Sequence, residues 1–508
     1  MHQALQLPEL VDQILGYLEK VDQKRCVSVC QFWSDIALDY VWSTIAGNED
    51  VLAMARLIAP VWKDFSMDNT STYRFKSEPT SALWNRFQSK YSWRIRYLWY
   101  HYSRKHDVSP LLGAMYRTRP MSLILPNLRV LECTGHFGHA SEEAPALLMH
   151  NGIHTFTYKV YDDTLSSLRI LTEFVKVRMP GLTSLTIEVY GEHDFVEPLA
   201  KLLGNLPLLK SIHITAFEDM TPILRRLCHS AVLEKLVFSG GKNVHRVGNL
   251  WLDGHFSSLR ELHVSQVEGN MTLVPFLPPL HRLQILHLVV AKSTVRNGCG
   301  HLIQSISQCS ALRELKLEFN HDEFENTTID DFDVLHSLLA CSHITIFRFC
   351  SDNPLIMSDS DFTTLALAWP RLEELEILSP YGRDITDNKR TSIWAIFLLT
   401  RLCPHLTRLG LCINSAPRDT PPLDPSSLPT SEPAHGANLE RLRLGYPLPG
   451  LKQGEETVFA ELLGQILPAQ CSLTYECFDY REEAKWTTIE ALFPQFAEQY
   501  LATTSMKL

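Results

Sequence analysis

At 508 residues, 45% hydrophobic and 20% charged, the chain has the make-up of a soluble globular protein and a length suited to about three domains. A net charge of −10 spread over that length argues against general nucleic-acid binding. The first residues lack a charged start followed by an apolar block, and the longest apolar run, Ile393 to Leu399, is too short to span a bilayer. Neither a signal peptide nor a membrane helix is therefore expected. The twelve cysteines include no C-x-x-C pair and no zinc spacing, which suits a reducing compartment, cytoplasmic or nuclear.

Residues 5–42 read as three short helices. Leu7, Leu10, Val11, Ile14, Leu15 and Leu18 keep the three-and-four spacing of one helix face. Pro8 suits a first helical position, where its missing N–H costs nothing. Asp22 is an N-cap for a second helix presenting Cys26, Val29 and Cys30, the two cysteines reading as core residues. A third helix turns Trp33, Ile36, Ala37, Tyr40 and Val41 inward. So small a bundle buries little apolar surface alone. Either it docks on the rest of the chain, or a partner covers it.

The order of these residues resembles the F-box. The family's Leu-Pro-x-Glu-Leu start, its Ile and Leu four apart and its Val-Cys-x-x-Trp block are matched in order. Here they are Leu7-Pro8-Glu9-Leu10, Ile14 with Leu18, and Val29-Cys30-Gln31-Phe32-Trp33, followed by Ile36-Ala37 and a closing Trp42. Gln23 stands where the family usually has Leu, and Gln31 where it has Arg.

Residues 46–94 are expected to form a helical linker. From residue 73 to 119 basic residues such as Arg74, Arg94 and Arg104 interleave with Trp84, Phe87, Trp93 and Trp99. Such a mixture can bind single-stranded nucleic acid. With no RNA-binding motif present, the favoured reading is aromatic packing at the first repeat and the F-box junction, the charges reaching outward.

An internal repeat follows. The template L-x-x-L-x-L appears at Leu128, Ile153, Leu182, Leu209, Leu233, Leu259, Leu283, Leu312, Ile344, Leu372, Leu406 and Leu439, with a degenerate copy at Ile95. The spacing of roughly 24–34 residues overlaps the leucine-rich range. The last three anchors alternate as one face of a strand does. Helical patterns such as VEPLAKLLGN, HLIQSISQ and DDFDVLHSLLA lie between, and Pro126, Pro180, Pro207, Pro370 and Pro404 end them. The repeats resemble the irregular leucine-rich repeats of F-box proteins, especially fungal ones. The predicted fold is α/β: an N-terminal three-helix F-box (1–45), the linker, and a curved leucine-rich solenoid (95–480) with a parallel β-sheet on its concave face and helices outside. A Pro/Ser-rich loop at 415–438 interrupts it. A cap helix over 482–502, with Trp486, Ile489, Leu492 and Phe493 on one side, closes the C-terminal part, 481–508.

None of H-E-x-x-H, G-x-S-x-G, G-x-x-x-x-G-K-[ST] or G-x-G-x-x-G opening a helix is present, so no enzyme, cofactor or metal is expected. Gly240-Gly241-Lys242 reads as a turn after a strand. The pairs His101/His106 and His136/His139 lack further ligands, and Glu373-Glu374 reads as solvated surface. The residue between the last two anchors should face the concave side. In order that column is Glu132, Thr157, Thr186, His213, Val237, His263, His287, Lys316, Arg348, Glu376, Gly410 and Arg443. His213 and the run His263, His287, Lys316 and Arg348 are the expected substrate-binding residues, for an acidic or phosphorylated protein segment.

The resemblance implies a non-enzymatic adaptor of an Skp–cullin–F-box ubiquitin ligase. Leu7, Pro8, Leu10, Ile14, Leu15, Leu18, Val29 and Trp33 would bind a Skp-type linker protein and through it a cullin. The repeats would hold an unidentified protein substrate, with neither membrane nor nucleic acid as partner. Two alternatives stay open: an F-box scaffold or regulator outside ubiquitin transfer, and a plain leucine-rich binding module whose first helices only cap it.

Overall fold

The computed structural model describes residues 6–65, 71–102, 106–120, 122–135, 145–161, 165–190, 195–241, 256–268, 281–291, 296–320, 332–351, 355–379, 391–413, 438–445, 454–476 and 480–505. The chain divides into two compact units, Met1–Gly241 and Lys242–Leu508.

The first unit opens with α1 (Pro8–Tyr17), α2 (Lys20–Cys26) and α3 (Gln31–Ser43). Val11, Leu15 and Ala37 form their core, with Leu18, Cys26, Val27, Phe32, Trp33, Ile36 and Tyr40 packed around it. Pro8 takes the first turn of α1, as its fixed φ favours. α2 starts at Lys20, ahead of the cap expected at Asp22. Asp22 instead lies in the first turn, where its charge suits the helix dipole, and accepts a hydrogen bond from Arg25 at 2.7 Å. Cys30 sits half-buried just before α3 rather than in the core. Gln23 donates from Nε2 to the carbonyls of Leu15 and Leu18, both at 2.9 Å, and so closes the end of α1.

A strand follows at once. β1 (Thr44–Ala46) precedes α4 (Asn48–Ile58), β2 (Val61–Phe65), β3 (Ser71–Phe75) and α5 (Ser81–Lys90). The segment expected as a helical linker thus contains strands as well as helices. After β4 (Tyr97–Tyr102), the degenerate repeat, come β5 (His106–Asp107), α6 (Ser109–Thr118), β6 (Val130–Gly135) and β7 (Thr155–Tyr161). Then follow α7 (Leu165–Arg178), β8 (Ser184–Tyr190), α8 (Val196–Leu203), β9 (Ser211–Ala216), α9 (Thr221–Leu227) and β10 (Lys235–Gly241). β2, β3 and β5 make a small separate sheet. The others pair in parallel in the order β1-β4-β6-β7-β8-β9-β10. Leu131, Phe156, Leu185, Ile212 and Leu236 stand in one register row and are fully buried. Each buried residue of this kind contributes about 1.5–3 kcal/mol over an exposed one, so the anchor spacing alone goes far to specify the stack.

The second unit continues the pattern. Its strands are β11 (Glu261–Glu268), β12 (Ile285–Ala291), β13 (Glu314–Asn320), β14 (Ile346–Ser351), β15 (Glu374–Leu378), β16 (Arg408–Leu411), β17 (Arg441–Leu444) and β18 (Ser472–Tyr475). They pair in that order, all parallel. Between them lie α10 (Arg296–Ile306), α11 (Asp359–Ala368), α12 (Ile393–Leu402) and α13 (Glu456–Ile466). Phe332–Ala340, expected as an ordinary helix, winds as a tighter 3-10 helix. Ser358 and Asp361 cap α11 reciprocally. The Asp359 carboxylate accepts from Ser392 N at 3.0 Å and Ser392 Oγ at 2.6 Å, which ties α11 to the start of α12. The Pro/Ser segment at 415–438 lies outside the described residues but for Asn438.

The expected cap helix is α14 (Tyr480–Ser505). Trp486, Ile489, Phe493 and Ala497 are buried, and Leu492 is half-buried. A side chain on Gly464 of α13 would put its Cβ 2.7 Å from Phe496 Cβ and 2.8 Å from Ala497 N, so glycine is what lets the two helices meet. Among the described residues no helix is long and apolar enough to cross a membrane.

Candidate interaction surfaces

α1 carries two apolar stripes. Val11, Leu15 and Leu18 turn into the three-helix core. Leu7, Leu10, Ile14 and Tyr17, also spaced by three and four, are exposed, Leu7 at 50% and Tyr17 at 91%. Pro8, Val21 and Val29 are exposed as well. Of the residues expected to bind a linker protein, Leu7, Pro8, Leu10, Ile14 and Val29 are accessible, and Leu18 and Trp33 are half-buried. Leu15 is corrected: it is fully buried and holds the helices together, so it cannot touch a partner.

Arg94 fixes α3 to the repeats. Its side chain is 7% exposed and pairs with the Asp39 carboxylate. It also donates to Asp35 O and Lys90 O, each at 2.7 Å, and lies 4.3 Å from the Trp93 ring centroid. Trp42 meets Tyr91 edge-on at 5.6 Å, and Trp84 and Phe87 are buried. These contacts favour the packing role for the basic, aromatic stretch. Arg94→Ala removes two hydrogen bonds to carbonyls and the pairing with a half-exposed carboxylate, and charge-assisted bonds of this kind are worth about 1.5–3 kcal/mol. Its thermal midpoint should fall by several degrees, whereas Arg96→Ala should change it little.

The open face of the sheet follows the expected column residue by residue. In the first unit Ala46, Trp99, Glu132, Thr157, Thr186, His213 and Val237 are matched partner to partner. In the second, the row is His263, His287, Lys316, Arg348, Glu376, Gly410, Arg443 and Thr474. His213 stands apart from the four-residue run, as the expected column places it. In its own unit it faces Glu188 at 3.4 Å and Ser239.

The run is not a free cationic surface, and this corrects the sequence reading. His263 Nε2 lies 2.7 Å from Glu261 Oε1, and His287 Nε2 lies 2.7 Å from Glu314 Oε1. Lys316 Nζ is 2.6 Å from the same Glu314 oxygen. Arg348 pairs with Glu374 and lies 3.6 Å from Glu376. Arg443 donates to Glu476 at 2.5 Å. Glu374, expected as solvated surface, is buried between Arg348 and Arg408, the latter at 3.5 Å. Glu261, Glu314 and Glu374 sit two positions before the column, on the same face by strand period, which is the signal that could have revealed them.

Burial pushes the His287 imidazole down to about 4, reinforced by His263 and Lys316 against the pull of Glu314. His287 therefore stays neutral at pH 6, contrary to the expectation that it gains charge there. A depressed histidine stabilises the fold above its unfolded pKa near 6.5 and loses that contribution as pH falls toward 4. Melting curves between pH 7 and 4.5 should show this loss in the native chain and a smaller one in His287→Gln.

Gly240 and Gly241, expected as a turn after a strand, belong to β10 itself: Gly240, at φ +65°, sits at a register shift between Ser239 and Gly241, which is a bulge, and Lys242 lies outside the described residues. His101 binds Thr134 at 3.1 Å while His106 binds Tyr73 at 3.3 Å, so structure does not bring that pair together. His136 and His139 lie outside the described residues.

No family model and no curated protein matches the sequence. A solved structure described as the crystal structure of a Rad7 and Elc1 complex in yeast is similar over 74% of this chain and 88% of that chain, at 14% sequence identity and a TM-score of 0.33.

Proposed function

We propose that this chain is the substrate-binding adaptor of an Skp–cullin–F-box ubiquitin ligase. The observation that carries the reading is the second apolar stripe of α1. Leu7, Leu10, Ile14 and Tyr17 are left in solvent by a small bundle whose own core is already filled. Contiguous exposed apolar surface of that kind marks a binding site. Leu7, Leu10 and Ile14 are among the residues to which the F-box resemblance assigns contacts with a Skp-type linker. The repeats offer an extended sheet face for a protein substrate, and no residue of the chain has to do chemistry. The adaptor acts by holding substrate lysines near a recruited conjugating enzyme at high effective concentration.

Affinity purification of the full-length chain, compared with Leu10→Asp/Ile14→Asp, tests this by mass spectrometry. The native chain should retain a Skp-type linker and a cullin. The variant should lose both and keep the proteins held by the repeats. Equal recovery of linker and cullin from both samples overturns the assignment.

A further inference from the structure

The second unit contains a cavity of about 450 Å³ on the open face of its sheet. Lys316, Glu318, Arg348, Glu376, Arg443 and Glu476 supply its charged lining. Gly410 carries no side chain between Glu376 and Arg443, and the Glu376 side chain lies against it: a Cβ there would stand only 3.0 Å from Glu376 Cγ.

The charges do not balance evenly in their use. Lys316 is taken by Glu314, Arg348 by Glu374 and Arg443 by Glu476. Glu314 and Glu374 lie at the start of their strands, Glu314 shared with His287 and Glu374 with Arg408, so each lining cation already has a carboxylate partner. Two carboxylates remain. Glu318 is exposed and has no ion-pair partner among the described residues. Glu376 makes no short ion pair: it lies 3.6 Å from an arginine whose nearer partner is Glu374, and its charge also acts on Arg443, whose nearer partner is Glu476.

We infer that this cavity receives a lysine- or arginine-bearing segment of a partner protein, with Glu318 and Glu376 as its counter-charges. This rests on the proposal that the repeats hold a protein substrate, and it replaces the acidic or phosphorylated segment expected from the column alone. An incoming cation meets the two least-used carboxylates. An incoming anion would have to displace Glu314, Glu374 or Glu476 from cations they already hold, a desolvation and repulsion cost without return.

The test is fluorescence anisotropy on the full chain with labelled decapeptides of alternating Gly-Lys, Gly-Glu and Gly-phosphoserine. The Gly-Lys peptide should bind most tightly. Glu318→Gln/Glu376→Gln should weaken it by about tenfold, as loss of complementary charge does. Lys316→Gln frees Glu314 and should strengthen it. Neutralising Glu9 and Glu49, exposed acids far along the chain, controls for general attraction to an acidic protein and should change nothing. Preference for either anionic peptide, or loss of Gly-Lys binding in Lys316→Gln, overturns the inference. So does equal weakening by the Glu9/Glu49 control. Linker binding measured on the same samples separates the two claims: if it persists while the Gly-Lys peptide fails, the cavity assignment falls and the adaptor reading stands.

Discussion

Replacing Leu7 and Pro8 together by alanine should lower affinity for a purified Skp-type linker by tens-fold, while the melting curve stays native. Both residues are exposed at the start of α1, outside the three-helix core. Truncating a large apolar anchor at an interface centre commonly costs at least about 2 kcal/mol, roughly thirtyfold in affinity. Surface truncations that touch nothing in the fold usually stay within about 0.5 kcal/mol. The matching control is Leu15→Ala. That residue is fully buried, and its loss should destabilise the bundle by about 2–5 kcal/mol. Titration calorimetry and circular dichroism on the same samples separate the two effects. Normal linker affinity in the Leu7/Pro8 variant would remove α1's outer stripe from the interface.

The second large effect concerns the C-terminal cap. Trp486 is fully buried, with its ring 5.4 Å from Phe459 and 5.9 Å from Tyr475. Trp486→Ala should cost about 3–5 kcal/mol through lost burial and the cavity it leaves. Among the described residues the indole Nε1 has no hydrogen-bond partner. Trp486→Phe therefore removes an unsatisfied donor along with some volume, and the relief of about 1–3 kcal/mol offsets much of the lost packing. The alanine variant should expose β18 and α13 to limited proteolysis, and the phenylalanine variant should not. If both are equally labile, the indole N–H has a role that these contacts do not include.

The repeat anchors were legible because a strand's period of two and a stack's shared core leave one register. Every described column residue from Glu132 to Arg443 fell where the template put it. The short strands β1 and β18 were not legible. Thr44–Ala46 carries too few residues to show alternation, and Cys471 and Leu473 match only two anchors of the template. α1 showed its apolar spacing plainly, but not which stripe faced inward. Leu15 and Ile14 are neighbours in sequence, and only packing against Ala37 separates them. The column's electrostatics were misread for a related reason. Reading one residue per repeat hid Glu261, Glu314 and Glu374, which share its face and lie within hydrogen-bond reach of the column or of its neighbour on the next strand.

The central claim is that the outer stripe of α1 and the turn before α3 are a linker-docking surface. Hydrogen–deuterium exchange on the full chain, with and without a purified Skp-type linker, tests it most directly. The account predicts slowed exchange over residues 7–17 and 27–33, with the strands of the second unit unchanged. Slowing confined to the repeats, or no slowing at a linker concentration well above micromolar, would contradict it.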